Sequence, residues 1–225
     1  MILFDRVTKK YPSHSTALED ISLKVDKGEF VFLVGPSGAG KTTILRLLIR
    51  EILPTLGSIT FNDWNIGKLK NDQVPYLRRQ IGFVFQDFKL LSDRTVYENI
   101  AVALEILGKS QYIISERIRE VLRIIHLEGK EDYFPRQLSL GEQQRVAIGR
   151  AIAGRIELLL ADEPTGNLDP KTSWEVLKII NDINKSGITV VMATHNVDIV
   201  NSMKKRVVTL KDGRISRDAV KSRYV

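Results

Sequence analysis

The stretch Gly35-Pro36-Ser37-Gly38-Ala39-Gly40-Lys41-Thr42-Thr43 decides the fold. It fits G-x-x-x-x-G-K-[ST], the pattern of a phosphate-binding loop. Before it, Phe30-Val31-Phe32-Leu33-Val34 is apolar and partly β-branched, and reads as a buried strand. After it, the residues from Thr43 to Arg50 have helical spacing. Strand, glycine-rich loop and helix form the context this pattern requires. The glycines let backbone N–H groups turn inward around phosphates, and the helix N-terminus adds positive potential there. Lys41 is expected to reach the β- and γ-phosphates, and the Thr42 hydroxyl to ligate Mg²⁺. The chain is therefore expected to bind a nucleotide.

The bulk properties narrow the class. At 225 residues the chain is one domain, or one with a subdomain, and can bury a large core. Hydrophobic residues make up 43% and charged residues 27%, as in globular proteins. There are no cysteines, so neither a disulfide framework nor a cysteine-based zinc site is expected. No apolar run approaches the length of a membrane span. The opening Met1-Ile2-Leu3-Phe4-Asp5-Arg6 lacks the pattern of a secretory signal. The net charge is +7, with basic residues in excess from Lys204-Lys205-Arg206 to Arg223. This end reads as a solvated tail, or as a patch attracted to anionic lipid or to an acidic partner. No aromatics alternate with the basic residues, so no nucleic-acid partner is expected.

Strands are expected over 1–11, 17–25, 30–34, 57–61, 81–85, 157–161 and 188–193, with a hairpin around Asp212-Gly213. Helices are expected over 71–79, 95–107, 115–125, 140–153 and 171–184. Strands alternating with helices imply an α/β fold with a mostly parallel sheet. Ligands in such sheets sit at the carboxyl ends of the strands. The loop at Gly35, together with Gln86, Asp162 and His195, falls just after predicted strands, so these polar elements are expected on one edge.

Asp162 and Glu163 follow the apolar run Leu158-Leu159-Leu160-Ala161. Adjacent residues at a strand end point in different directions. Asp162 is the candidate for Mg²⁺ and Glu163 for the attacking water, against the alternative of two solvated acids. Gln86 can ligate the metal weakly or hold water, or is simply a loop residue. His195 is a structural histidine, or an imidazole that senses a γ-phosphate. Tyr11 stacks on adenine, or belongs to the core or rim. Ser139, with Glu142 three residues later, forms a capping box at a helix start. The same helix start reads as a second anion site, serving the nucleotide of another copy.

In this order the motifs resemble those of an ABC-transporter ATPase subunit. They are Gly35 to Thr42, Gln86, Leu138-Ser139-Leu140-Gly141-Glu142, Leu158 to Glu163, Asn167-Leu168-Asp169 and His195. The resemblance runs from Tyr11 to Gly213. It implies a P-loop NTPase with a mostly parallel core sheet, an N-terminal antiparallel β part and an inserted α-helical subdomain. Residues 1–86 and 157–217 would form the core, about 87–156 the helical subdomain, and 218–225 a basic tail. It implies ATP hydrolysis with Mg²⁺, catalysed by Lys41, Gln86, Glu163 and His195. Nucleotide contacts would come from Tyr11, residues 35–43, and from Ser139, Gly141, Glu142 and Asp169. Thr42, Gln86 and Asp162 would hold the metal. A head-to-tail homodimer and an integral membrane partner are implied as well.

Within the family the chain is most similar to subunits that act in bacterial cell division. Val84-Phe85-Gln86-Asp87-Phe88-Lys89-Leu90-Leu91 carries that likeness best. Rival readings are an exporter ATPase for lipoproteins, lipids or macrolides, a nucleotide-dependent scaffold that does not turn over, and a chromosome ATPase. One residue departs from the family pattern: Leu140 stands where a glycine is usual. Leu140 either adds bulk beside a phosphate or points harmlessly into the helical block.

Overall fold

The computed structural model describes residues 1–11 and 16–219. Lys221 and Arg223 of the expected basic tail lie outside the described residues. Along the chain run β1 (Ile2–Lys10), β2 (Thr16–Val25), β3 (Phe30–Val34), α1 (Lys41–Leu48), β4 (Leu56–Phe61) and β5 (Trp64–Asn65). Then come α2 (Val74–Arg79), β6 (Ile81–Val84), α3 (Val96–Glu105), α4 (Gln111–Ile124), α5 (Leu140–Ile152) and β7 (Leu158–Asp162). The chain continues with α6 (Pro170–Lys185), β8 (Thr189–Ala193), α7 (Val197–Met203), β9 (Arg206–Lys211) and β10 (Arg214–Ala219). It forms two compact units. One is Met1–Arg78 with the described residues from Thr189 onward, and the other is Arg79–Ile188.

In the first unit β3 is the central strand. It pairs in parallel with β8 on one side and β9 on the other, and β10 pairs antiparallel with β9. A strand flanked on both sides and covered on both faces must be apolar throughout, and all five residues of β3 are buried. A second, antiparallel sheet has the order β2-β1-β4-β5. In β1 the buried residues are Ile2, Phe4, Val7 and Thr8, and from Phe4 to Val7 the alternation slips by one place. Arg6, at φ 46, absorbs the extra residue as a bulge and returns Val7 to the core face. The hairpin at Asn62-Asp63 leads into β5, which the sequence reading missed. Two residues are too few to show an alternation.

Arg206 opens β9 and is not a free basic residue. Its guanidinium donates to Glu29 at 2.9 and 3.0 Å and to Asp218 at 2.8 and 2.7 Å. Asp218 raises its pKa most, burial opposes, and Glu29 adds to the rise. Arg214 pairs with Glu19 at 2.7 Å. Two cations of the basic C-terminal end are thus engaged within the unit.

In the second unit β6 and β7 run parallel, with Ile81 opposite Leu158 and Val84 opposite Ala161. Helix α3 starts at a capping box in which Thr95 and Glu98 bond each other's backbone N–H groups. Its buried stripe includes Val96, Ile100 and Leu104, as its spacing predicts. Helix α4 begins at Gln111, earlier than the expected start at Ser115. Its buried stripe starts at Ile114, and a further turn is needed to carry that residue. The fold class expected from the sequence is the one observed: parallel strands with covering helices, an antiparallel β part and a block of three helices, α3 to α5. Among the described residues no helix is long and apolar enough to cross a membrane.

Candidate nucleotide site

The first unit carries the phosphate-binding loop between β3 and α1. Gly40 is the N-cap residue of α1 and has φ 102. A Cβ at Gly40 would approach Leu18 Cδ2 to 2.5 Å and the Ala17 carbonyl oxygen to 2.7 Å. Glycine is therefore required there by both backbone angle and space. The loop closes on itself, with Ala39 N–H donating to the Pro36 carbonyl at 3.2 Å.

Lys41 is only 8% exposed. Its Nζ donates to the Gly35 carbonyl at 2.8 Å and to the Pro36 carbonyl at 3.1 Å. No carboxylate among the described residues pairs with it. A nearly buried cation, held by two neutral carbonyls at a helix N-terminus, is poised for an anion. The left-handed Gly38 and Gly40, together with this ammonium at a helix N-terminus, fit a phosphate-bearing ligand. Thr42 is exposed and Thr43 half-buried, both in the first turn of α1.

Because β3 and β8 are parallel, their carboxyl ends share an edge. Thr194 N–H donates to the Leu33 carbonyl at 3.0 Å, which anchors the start of the β8 exit loop beside the phosphate-binding strand. His195 follows directly and is exposed. Next comes α7, which the sequence reading missed; Asn196 caps it by accepting from Ile199 N–H at 3.1 Å. Tyr11 is half-exposed at the end of β1, with the Lys9 ammonium 5.3 Å from its ring centroid.

The second unit carries the acidic elements. Asp162 is the last residue of β7 and Glu163 the next, both half-buried. Glu163 has φ 47, a left-handed conformation that a non-glycine residue rarely adopts. The chain turns there, and Gly166 N–H donates to the Glu163 carbonyl at 3.0 Å. Gln86 is exposed just beyond β6, and its carbonyl accepts from Asn167 Nδ2 at 3.4 Å. Gln86 and the turn after Glu163 therefore meet. Among the described residues no three His, Cys, Asp or Glu side chains gather into a metal cluster. The expected metal donors Thr42, Gln86 and Asp162 offer hydroxyl, amide and carboxylate oxygens, a donor chemistry that fits Mg²⁺.

At the start of α5 the capping box is present. Ser139 Oγ accepts from Glu142 N–H at 3.3 Å, and Glu142 Oε2 accepts from Ser139 N–H at 2.9 Å. The same carboxylate pairs with Lys130. Burial pushes the Glu142 pKa up, but Lys130 and the Ser139 amide outweigh it and leave it lowered. Asp169 caps α6 and accepts from Thr172 N–H at 3.0 Å and from the Thr172 hydroxyl. The Thr172 hydroxyl, then its amide, lower the Asp169 pKa. Gly141 is buried, and a Cβ there would run into the Thr172 methyl. The glycine is thus accounted for by the close approach of α5 to α6. Leu140 is 52% exposed, so it does not point into the helical block. Sequence reading missed Arg150, whose guanidinium donates to the Phe88 and Lys89 carbonyls. An arginine late in an amphipathic helix carries no signal of such a role.

Similarity to known proteins shows the family and the fold. A family model described as ABC transporter matches residues 18–166. The chain is 51% identical over 224 residues to the cell division ATP-binding protein FtsE of Bacillus subtilis, covering 100% of this chain and 98% of that one. It is 46% identical over 215 residues to the protein of the same name from Escherichia coli, covering 96% and 97%. Among solved structures it resembles a dimeric ATP-binding cassette in a post-hydrolysis state bound to ADP and Pi. That likeness has a TM-score of 0.90 and 35% identity, and covers 100% of both chains.

The lowered Glu142 pKa has a definite sign for stability. Its contribution is present above the ordinary glutamate pKa of 4.5 and is lost as pH falls through the lower folded value. Glu142→Gln keeps an oxygen for the Ser139 N–H but loses the charge paired with Lys130, and is expected to cost about 1 kcal/mol at pH 7 in urea unfolding. The gap between variant and wild type should close once the pH drops below that range.

Proposed function

The chain belongs to the ABC transporter family of ATP-binding proteins, and from that premise we propose that it is the ATP-hydrolysing subunit of a membrane complex acting in bacterial cell division. The observation that carries the reading is the Lys41 ammonium, nearly buried and bonded only to the Gly35 and Pro36 carbonyls of a glycine cradle. The likeness to FtsE proteins over nearly the whole chain supports the cell-division role.

In this reading residues 35–43 wrap the triphosphate, with Lys41 neutralising the β- and γ-phosphates and Tyr11 stacking on the adenine. Thr42, Asp162 and Gln86 would supply oxygen ligands to Mg²⁺, which would neutralise phosphate charge. Glu163 accepts the proton of the attacking water as the bond to the γ-phosphorus forms, and the β-phosphate leaves with the electron pair. His195 contacts the γ-phosphate. Ser139, with the Gly141 and Glu142 backbone, and Asp169 serve the nucleotide of a second copy in a head-to-tail dimer.

The partner is an integral membrane subunit resembling FtsX, with the chain held peripherally on the cytoplasmic face. Its output is control of septal peptidoglycan hydrolysis, alongside division-ring components. A cavity of about 770 Å³ in the second unit supports a docking place on the helical block. Leu104, Leu107, Tyr112 and Ile113 give it an apolar lining, and its rim carries charges of both signs, among them Lys109, Arg155, Glu116 and Glu120. Copurification of the tagged chain from membranes, followed by identification of the integral protein that accompanies it, tests the partner. Recovery of a lipoprotein or drug exporter subunit instead would assign the chain to export.

Glu163→Gln should keep ATP affinity and slow phosphate release by about a hundredfold or more, the usual scale for loss of a general base. With Mg-ATP it should accumulate as a dimer in size-exclusion chromatography. A variant that binds ATP and stays monomeric would contradict the shared-interface reading.

The exposed Leu140 side chain stands beside Ser139 at the tip of α5, where a second copy's phosphate would approach. Leu140→Gly should raise steady-state phosphate release severalfold and leave ATP affinity of the monomer within about twofold; a tenfold gain would correspond to about 1.4 kcal/mol in the barrier. An unchanged or lower rate would mean that the leucine is accommodated.

A further inference from the structure

The loop that follows Gln86 has an unusual backbone. Phe88 has φ 57 and Lys89 has φ 50, two consecutive left-handed residues of which neither is glycine. Such angles bring Cβ close to the carbonyl oxygen and persist only where the surroundings impose them. Within the loop, Phe88 N–H reaches the Phe85 carbonyl at only 3.4 Å, and Lys89 N–H reaches the Asp87 carbonyl at 2.6 Å. These bonds tie the loop to itself, and the contact of the Gln86 carbonyl with Asn167, at 3.4 Å, is long.

One side chain from another element grips this strained pair. Arg150 Nη1 donates to the Lys89 carbonyl at 2.7 Å, and Nη2 donates to the Phe88 carbonyl at 2.9 Å. The guanidinium fork matches two consecutive carbonyls, a geometry that the single ammonium of lysine cannot copy. Arg150 has no carboxylate partner among the described residues, and burial lowers its pKa. A cation desolvated without an acid is costly, so its placement calls for a reason other than stability. Further along, Asn99 of α3 holds Leu91 by accepting from its N–H at 2.9 Å and donating to its carbonyl at 3.0 Å. The far end of the loop is thus fixed to α3, while the end next to Gln86 is fixed to α5.

We propose that Arg150 is a positioning residue that holds the Gln86 loop in its working conformation and ties it to the movement of α5. Ser139 and Arg150 stand at the two ends of the same helix, three turns and about 16 Å apart, so they lie on nearly the same face. A helix of this length moves as a rod. Displacement of its Ser139 tip, where a second copy's nucleotide would press, reaches the Phe88 and Lys89 carbonyls through the Arg150 fork. Gln86, two residues upstream, follows. This inference deepens the proposed ATPase function, and the communication it describes lies within the second unit.

The test uses the full chain with Arg150→Gln and Arg150→Lys. Hydrogen exchange without nucleotide should show protection of the Phe88 and Lys89 amides falling about tenfold in Arg150→Gln, with the Leu91 amide, β6 and the body of α5 unchanged. In steady-state assays kcat should fall about tenfold while KM for ATP stays within twofold, and Arg150→Lys should fall between variant and wild type. Adding Phe88→Gly and Lys89→Gly to Arg150→Lys should recover much of the lost kcat, because glycine adopts left-handed angles without restraint. Unchanged loop exchange in Arg150→Gln would overturn the proposal, as would uniform loss of protection throughout the second unit. If the wild type itself released no phosphate, the ATPase reading would fail, while the exchange result would still decide whether Arg150 holds the loop.

Discussion

One ammonium and one glycine hold the loop between β3 and α1. Lys41 Nζ lies 2.8 Å from the Gly35 carbonyl and 3.1 Å from the Pro36 carbonyl, tying the first turn of α1 back to the start of the loop. The loop enters α1 through Gly40 at φ 102, packed against Leu18 and the Ala17 carbonyl. No side chain fits there. The wholly buried strand β3 supplies the rigid base, held between β8 and β9. No carboxylate among the described residues pairs with this charge, as expected of a helix start that receives an anion. In this unit the exit of β8 is fastened to β3 through Thr194, which sets the backbone from which His195 projects.

The second unit follows a different rule: its polar groups are mostly engaged in holding helix starts and turns. Ser139 with Glu142 caps α5, and Asp169 with Thr172 caps α6. Gly141 lets these two starts approach closely. The groups expected to serve a second copy's nucleotide therefore stand on a preorganised frame, in which their own hydrogen bonds fix them before any ligand arrives. Among the described non-glycine residues of this unit Phe88, Lys89, His126 and Glu163 have left-handed φ, and all but His126 lie within three residues of Asp162 or Gln86.

Much of this was legible in the sequence because the relevant signals are local. The glycine spacing of residues 35–40, the apolar run of β3 and the Ser139–Glu142 pair each carry their own physical reason. The α/β class followed from strands alternating with helices. What escaped depends on tertiary contact or on short length. Strand β5 and helix α7 are too brief for periodicity. Gly141 reads from sequence as a phosphate-side glycine, and only its contact with Thr172 reveals the packing reason. The left-handed φ of Glu163 has no residue signature, and Arg150 is indistinguishable in sequence from a solvated helix arginine. The basic run near Lys204 looked uniform, yet Arg206 is clamped between Glu29 and Asp218.

The central claim is that Lys41 and its glycine loop are the seat of the triphosphate. Calorimetric titration of ATP into wild-type protein and the Lys41→Ala variant tests it directly. Removing a charged hydrogen-bond donor of this kind should weaken binding by about a hundredfold, with circular dichroism unchanged. Equal affinity in the two proteins would contradict the account.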